Sequence, residues 1–80
     1  IMQSSTADGV LDKKTKELIA VAIAVANRCD GCIGFHTKTL VELGVTEQEL
    51  SEALGIAIGM GGGPSVMYAA NTLKAFKEFS

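Results

Sequence analysis

Between Leu18 and Ala26 the chain reads Leu18-Ile19-Ala20-Val21-Ala22-Ile23-Ala24-Val25-Ala26, with no polar side chain and no break. The run continues a stretch without Gly or Pro that opens at Lys13 and is rich in Lys, Glu, Leu and Ala, so one helix is predicted from Lys13 to about Asn27. A helix that is apolar on every face is buried all round. The whole chain has 80 residues, and a domain of that size has too little interior to surround such a helix. Hydrophobic residues make up 48% of the chain, and its two cysteines allow a single bridge, too few for a disulfide-stapled scaffold. Oligomerisation is the remaining way to cover the apolar surface.

The other elements follow from their punctuation. Residues 1–11 read as a loose polar arm, and Asp12 is a fair N-cap for the first helix. Asn27 to Cys32 forms a short break. A second helix is expected from about Asp30 to Leu43, stopped by Gly44. Thr46-Glu47-Gln48-Glu49 has the form of a capping box and opens a third helix to about Met60. Gly61-Gly62-Gly63 breaks the chain, and Pro64 suits the first turn of a fourth helix running to about Phe79. No segment alternates with period two, so the expectation is an all-α bundle of about four helices, one domain over residues 12–79, completed by oligomerisation.

Several partner classes are excluded. Net charge is −2, Arg28 is the single arginine and no basic stripe carries aromatics, which argues against nucleic acid. The longest apolar run is far short of the roughly 20 residues of a membrane span. The opening, Ile1-Met2-Gln3-Ser4-Ser5-Thr6, lacks the basic region and apolar core of a signal peptide, and its first residue, Ile rather than Met, points to a missing leading segment. The expected compartment is the cytoplasm, where a CxxC implies redox or metal chemistry before a structural bridge.

Cys29-Asp30-Gly31-Cys32 falls where one helix ends and the next begins. Cysteines three apart on a helical turn have Cα atoms roughly 5–6 Å apart, within disulfide reach. Helix N-terminal amides favour thiolate over thiol. His36 follows Cys32 by four residues, so both project from one face and the imidazole can take the thiol proton. Cys32 is therefore the expected attacking thiolate and Cys29 the resolving thiol. Glu17 is the first carboxylate met on going back along the first helix. At about 1.5 Å per residue in antiparallel helices, His36 lies roughly 9 Å and Glu17 roughly 15 Å from the junction. Two side chains and one water would close that gap, letting the carboxylate orient His36 and carry the proton onward.

Blander readings stand beside these. The cysteines could be inert core residues, His36 a capped surface residue, and Glu17 a solvated partner of Lys13 or Lys14. Met60, Met67 and Tyr68 are most simply packing residues. The triple glycine reads as a tight turn, since no Lys-Ser/Thr ending and no preceding strand make it a phosphate cradle. Cys29, Cys32 and His36 offer three zinc ligands where a structural site wants four, so no metal and no cofactor is expected. Ile33 after Cys32 excludes the haem-attachment motif, and the missing strands exclude a thioredoxin-like fold.

The pattern Glu17-x11-Cys29-x2-Cys32-x3-His36 resembles the active-site motif of the alkylhydroperoxidase D-like proteins of the carboxymuconolactone decarboxylase superfamily. So do Lys16-Glu17-Leu18-Ile19, Cys32-Ile33-Gly34-Phe35-His36, Glu52-Ala53-Leu54, Gly61-Gly62-Gly63-Pro64 and Tyr68-Ala69-Ala70; the resemblance covers about residues 12–79. It implies an all-helical fold assembled into trimers or hexamers. It also implies reduction of organic or hydrogen peroxides by the cysteine pair, with Glu17, Cys29, Cys32 and His36 as a proton relay. In that scheme Cys32 becomes a sulfenic acid, Cys29 condenses with it, and a lipoylated or thioredoxin-like dithiol protein restores the thiols. The alternatives are a lactone-decarboxylase-like lyase, which would not need the cysteines, and a redox-sensing helical protein that uses the same pair without turnover.

Overall fold

The computed structural model describes residues 5–80. The first four residues of the expected arm lie outside the described residues. Four helices of 13 to 16 residues follow: α1 (Lys13–Ala26), α2 (Asp30–Glu42), α3 (Glu47–Gly61) and α4 (Pro64–Phe79). No strand occurs among the described residues, and none of these helices is long and apolar enough to cross a membrane. The helices occupy the corners of a square in the order α1, α2, α4, α3, with α1 also reaching across to α4. Val21 and Val25 of α1, Leu40 of α2, Leu50 and Leu54 of α3 and Phe76 of α4 fill the centre. Each such side chain contributes about 1.5–3 kcal/mol by leaving water.

Local chemistry sets the ends. Asp12 caps α1 by accepting from the Thr15 amide at 2.8 Å, and its hydrogen bonds with Thr15 hold its carboxyl below the usual carboxylate range. The predicted capping box opens α3 with both of its bonds present: the Glu49 amide donates to Thr46 Oγ1 at 3.1 Å and the Thr46 amide to Glu49 Oε1 at 2.9 Å. Lys14, at 2.7 Å from Glu49, is the main cause of that carboxyl's lowered pKa and ties α1 to α3. Both α1 and α2 end in a Schellman motif. At α2, Gly44 takes the left-handed position (φ 77°) and Val45 folds back so that its amide meets the Leu40 carbonyl at 3.1 Å. At α1 the same bonds run from Cys29 to Ala24 at 2.9 Å and from Arg28 to Val25 at 3.1 Å, but the left-handed residue is Arg28 (φ 58°). A side chain there costs roughly 1–2 kcal/mol relative to the right-handed region, directly ahead of the first cysteine.

The triple glycine does bring the chain around tightly. Gly61 still belongs to α3, and Gly62 takes φ 82°. A Cβ on Gly61 would overlap Ser65 Oγ and sit 3.1 Å from the Ala26 Cα, so α3 approaches the end of α1 here only because the side chain is absent. Ser65 is fully buried with no hydrogen-bond partner for its hydroxyl among the described residues, and has little room to yield. Gly61→Ala is therefore expected to destabilise the fold by about 1–3 kcal/mol, read as a lower melting temperature at fixed protein concentration; an unchanged melt would show that the contact relaxes freely.

One chain leaves part of the apolar helix uncovered, as its length led one to expect. Within one chain, α1 is not buried on every face: Val21, Ala24 and Val25 are inside, while Ile19 and Ile23 are 47% and 55% exposed. They line an apolar hollow of about 400 Å³ between α1 and α3, with Leu18, Ala22, Ala53 and Ile56. A smaller hollow of about 230 Å³ continues it past Ala26 to Met60. The four helices close their core on one side of α1 only, because α2, α3 and α4 cannot encircle it. One expectation needs correction: Met60 and Met67 are not packing residues of this chain, being 83% and 69% exposed, whereas Tyr68 does pack against the core. Their helices turn other faces inward.

Candidate active site

The site is built at the α1–α2 turn. Cys29 is the N-cap of α2, with extended backbone, and its sulfur accepts the Cys32 amide at 3.4 Å. The sulfurs of Cys29 and Cys32 are joined as a disulfide across a Cα separation of 5.4 Å. That is the separation the three-residue spacing leads one to expect. Cys32 is exposed and Cys29 half-buried. The helix-terminal amide therefore serves Cys29 rather than Cys32.

One turn on, His36 is buried, at 6% exposure. Its Nδ1 lies 2.6 Å from Glu17 Oε1, and Glu17 is itself only 2% exposed. The contact is direct, so no water is needed between them. Residues 27–29 make the turn and add no depth. Glu17 precedes the end of α1 by nine residues and His36 follows the start of α2 by six, so their levels differ by about 4–5 Å at about 1.5 Å per residue. One glutamate side chain spans that. The solvated reading of Glu17 fails, although its expected i,i+4 partner is present: Lys13 Nζ stands 3.7 Å from Glu17 Oε2. Lys14, the other candidate partner, is engaged with Glu49. With Glu17 on Nδ1, the second imidazole nitrogen is left for other work. Side chains on a helix lean toward its N-terminus, which here is the turn that carries Cys32.

A cavity of about 320 Å³ opens on the Glu17–His36 pair, lined also by Thr6, Lys13, Phe35 and Thr39. Neither cysteine lines it. Phe35 meets the imidazole edge to face, with ring centroids 5.1 Å apart. Thr6 is buried, and its hydroxyl accepts from Lys13 Nζ at 3.3 Å. The Lys13 amide donates to Asp8 Oδ1 at 2.6 Å, and Lys16 Nζ to the Ala7 carbonyl at 2.8 Å, so residues 6–8 lie against the start of α1. Sequence reasoning named Lys13 only as a solvent-side partner and did not name Thr6 or Phe35. The i,i+4 spacing of Lys13 and Glu17 was a usable signal for the first; nothing local signals the others. Among the described residues no group of three or more His, Cys, Asp or Glu side chains is gathered so as to hold a metal ion.

The carboxymuconolactone decarboxylase family profile matches residues 1–75. The chain belongs to that family. As a member of the carboxymuconolactone decarboxylase family it is 47% identical over 76 residues to an uncharacterised protein of Cupriavidus necator, covering 95% of this chain and 67% of that one. It is 43% identical over 47 residues to the alkyl hydroperoxide reductase AhpD of Mycobacteroides abscessus, covering 59% of this chain and 27% of that protein. Among solved structures, a carboxymuconolactone decarboxylase family protein of Legionella pneumophila superposes with a TM-score of 0.96 at 66% identity, covering 99% of this chain and 70% of the other. A family protein of Thermotoga maritima superposes with a TM-score of 0.91 at 32% identity, covering 96% and 79%. The chain thus spans about two thirds of the length of the Cupriavidus relative and about a quarter of the Mycobacteroides reductase. These likenesses bear out the expected all-α, alkylhydroperoxidase D-like member of this family.

Proposed function

We propose that this protein is a thiol-dependent peroxidase that reduces organic or hydrogen peroxides through its cysteine pair. The observation that carries the reading is a cysteine pair, within bonding reach, at the start of the helix whose next turn holds His36 on a buried carboxylate. In this scheme His36 takes the Cys32 thiol proton, and the Cys32 thiolate attacks the peroxide. The O–O bond breaks, ROH leaves with a proton, and Cys32 becomes a sulfenic acid. The Cys29 thiol displaces water from it to form the disulfide. An external dithiol protein, lipoylated or thioredoxin-like, then attacks the exposed Cys32 sulfur. Cys29 leaves as a thiolate held by the α2 amide that its sulfur already accepts, and the partner departs oxidised. Such a cycle suits a reducing compartment such as the cytoplasm. The test is consumption of a small organic hydroperoxide by reduced protein with excess dithiol; no turnover would sink the reading.

The same reading includes self-assembly. The exposed Ile19, Ile23, Ile56 and Met60 form one continuous apolar face along α1 and α3. Its cover is a second copy of this chain, in a trimer or hexamer. Ile23→Glu with Ile56→Glu is expected to convert the assembly to monomer by sedimentation or light scattering. A wild-type protein that is monomeric throughout would refute the proposal.

One observation favours a second reading. The cavity on Glu17 and His36 is lined by neither sulfur, which suits a lyase acting on a lactone by proton transfer, since that chemistry needs an acid–base pair and no thiol. Lyase activity would survive Cys32→Ser, and peroxide reduction would not.

A further inference from the structure

We infer that Lys13 is a positioning residue of this site, holding Glu17 in the orientation that presents its other oxygen to His36. The inference deepens the peroxidase reading and rests on it only for the activity part of its test. Glu17 is buried and divides its two oxygens between two partners: His36 Nδ1 on Oε1 at 2.6 Å and Lys13 Nζ on Oε2 at 3.7 Å. A carboxylate has little else to turn against at 2% exposure, and a buried charge with one partner removed is left uncompensated. Lys13 is itself held from a second side. Its ammonium donates to the hydroxyl of buried Thr6, and its amide is fixed by Asp8. Thr6, Lys13, Glu17 and His36 therefore form one line of contacts from the segment before α1 to the imidazole on α2, and all four border the same cavity.

The geometry gives the lysine two tasks. It supplies a positive charge to the far oxygen of Glu17, so that the carboxylate does not depend on the imidazole alone. It also fixes the carboxylate's rotation, and through Nδ1 the plane of the ring and the direction of the remaining nitrogen. Lys13 touches neither sulfur nor peroxide in this scheme and acts only through Glu17. Thr6 anchors the lysine, which couples the segment before α1 to the imidazole.

His36 is the single histidine of the chain, so its imidazole nitrogens give unambiguous resonances in nitrogen-15 NMR. The experiment compares wild-type protein with Lys13→Met, which keeps length and helix propensity, and with Lys13→Arg, which keeps the charge. Circular dichroism first establishes that each is helical; if Lys13→Met does not fold, Lys13→Gln takes its place. Lys13→Met is expected to shift the His36 Nδ1 resonance and its bonded proton, and to slow dithiol-driven peroxide turnover about tenfold through misplacement of the ring. Lys13→Arg is expected to restore both toward wild type. Unchanged His36 resonances in folded Lys13→Met would overturn the inference whatever happens to turnover. Equal loss in Lys13→Arg and Lys13→Met would also overturn it. Should wild-type protein show no peroxide turnover while the His36 resonances move in Lys13→Met and return in Lys13→Arg, the peroxidase reading fails and the positioning role stands.

Discussion

Replacing Cys32 by serine is expected to bring dithiol-driven consumption of an organic hydroperoxide down to the rate without protein. Serine keeps the size and the helix, so a loss of activity is a loss of the thiolate. Cys29→Ser should behave differently. There the exposed Cys32 still meets peroxide, but its sulfenic acid has no neighbour to condense with, so a sulfenic-acid trap should label Cys32 once and turnover should stall. The asymmetry follows from the α2 N-terminus. Cys29 holds the capping position and the amide of Cys32, which suits a leaving thiolate, while Cys32 stands exposed one turn before His36. Labelling of Cys29 in Cys32→Ser, with no labelling of Cys32 in Cys29→Ser, would reverse the two roles. Full turnover in both variants would remove the cysteines from the mechanism.

The second large effect concerns the buried pair. His36→Leu leaves the buried Glu17 carboxylate with Lys13, at 3.7 Å, as its one remaining ion-pair partner among the described residues. Breaking a buried pair in this way costs about 3–5 kcal/mol, a fall in melting temperature of more than about 10 °C for a domain this small. Adding Glu17→Met should return most of that stability, because two apolar side chains of similar volume need no mutual compensation. Activity should not return. Loss of the general base is expected to lower turnover by about 10²–10⁴-fold, in the single and the double variant alike. Thermal melts at one protein concentration and initial rates on the same samples check both halves, the fixed concentration being needed because assembly shifts apparent stability. Near-wild-type turnover in His36→Leu would rule out the imidazole as the thiol's base.

Much of the bundle was legible in the chain because its signals are local. Asp12, the Thr46–Glu49 box, Gly44 and Pro64 each act within one turn of helix, and the predicted ends differ from the observed ones by a residue or less. The same holds for the cysteine pair: three-residue spacing across a helix start brings the Cα atoms to 5.4 Å whatever surrounds them. The C-terminal cap of α1 was less legible. Nothing local distinguishes Arg28 from an ordinary surface arginine, yet it occupies the left-handed position that glycine fills at the end of α2.

What the sequence by itself determined, then, is the helices, their stops and the cysteine pair with His36 one turn beyond it, since a helix repeats every few residues and its caps bond to near neighbours. Only the tertiary structure decided that Glu17 is buried and meets His36 without a water, that Lys13 and Thr6 stand behind it, and that the apolar half of α1 closes on one side alone. Those facts depend on how far the turn at residues 27–29 offsets two packed helices, and on how much surface three neighbours can cover. Both are set by packing between segments distant in the chain, which no single-segment pattern records.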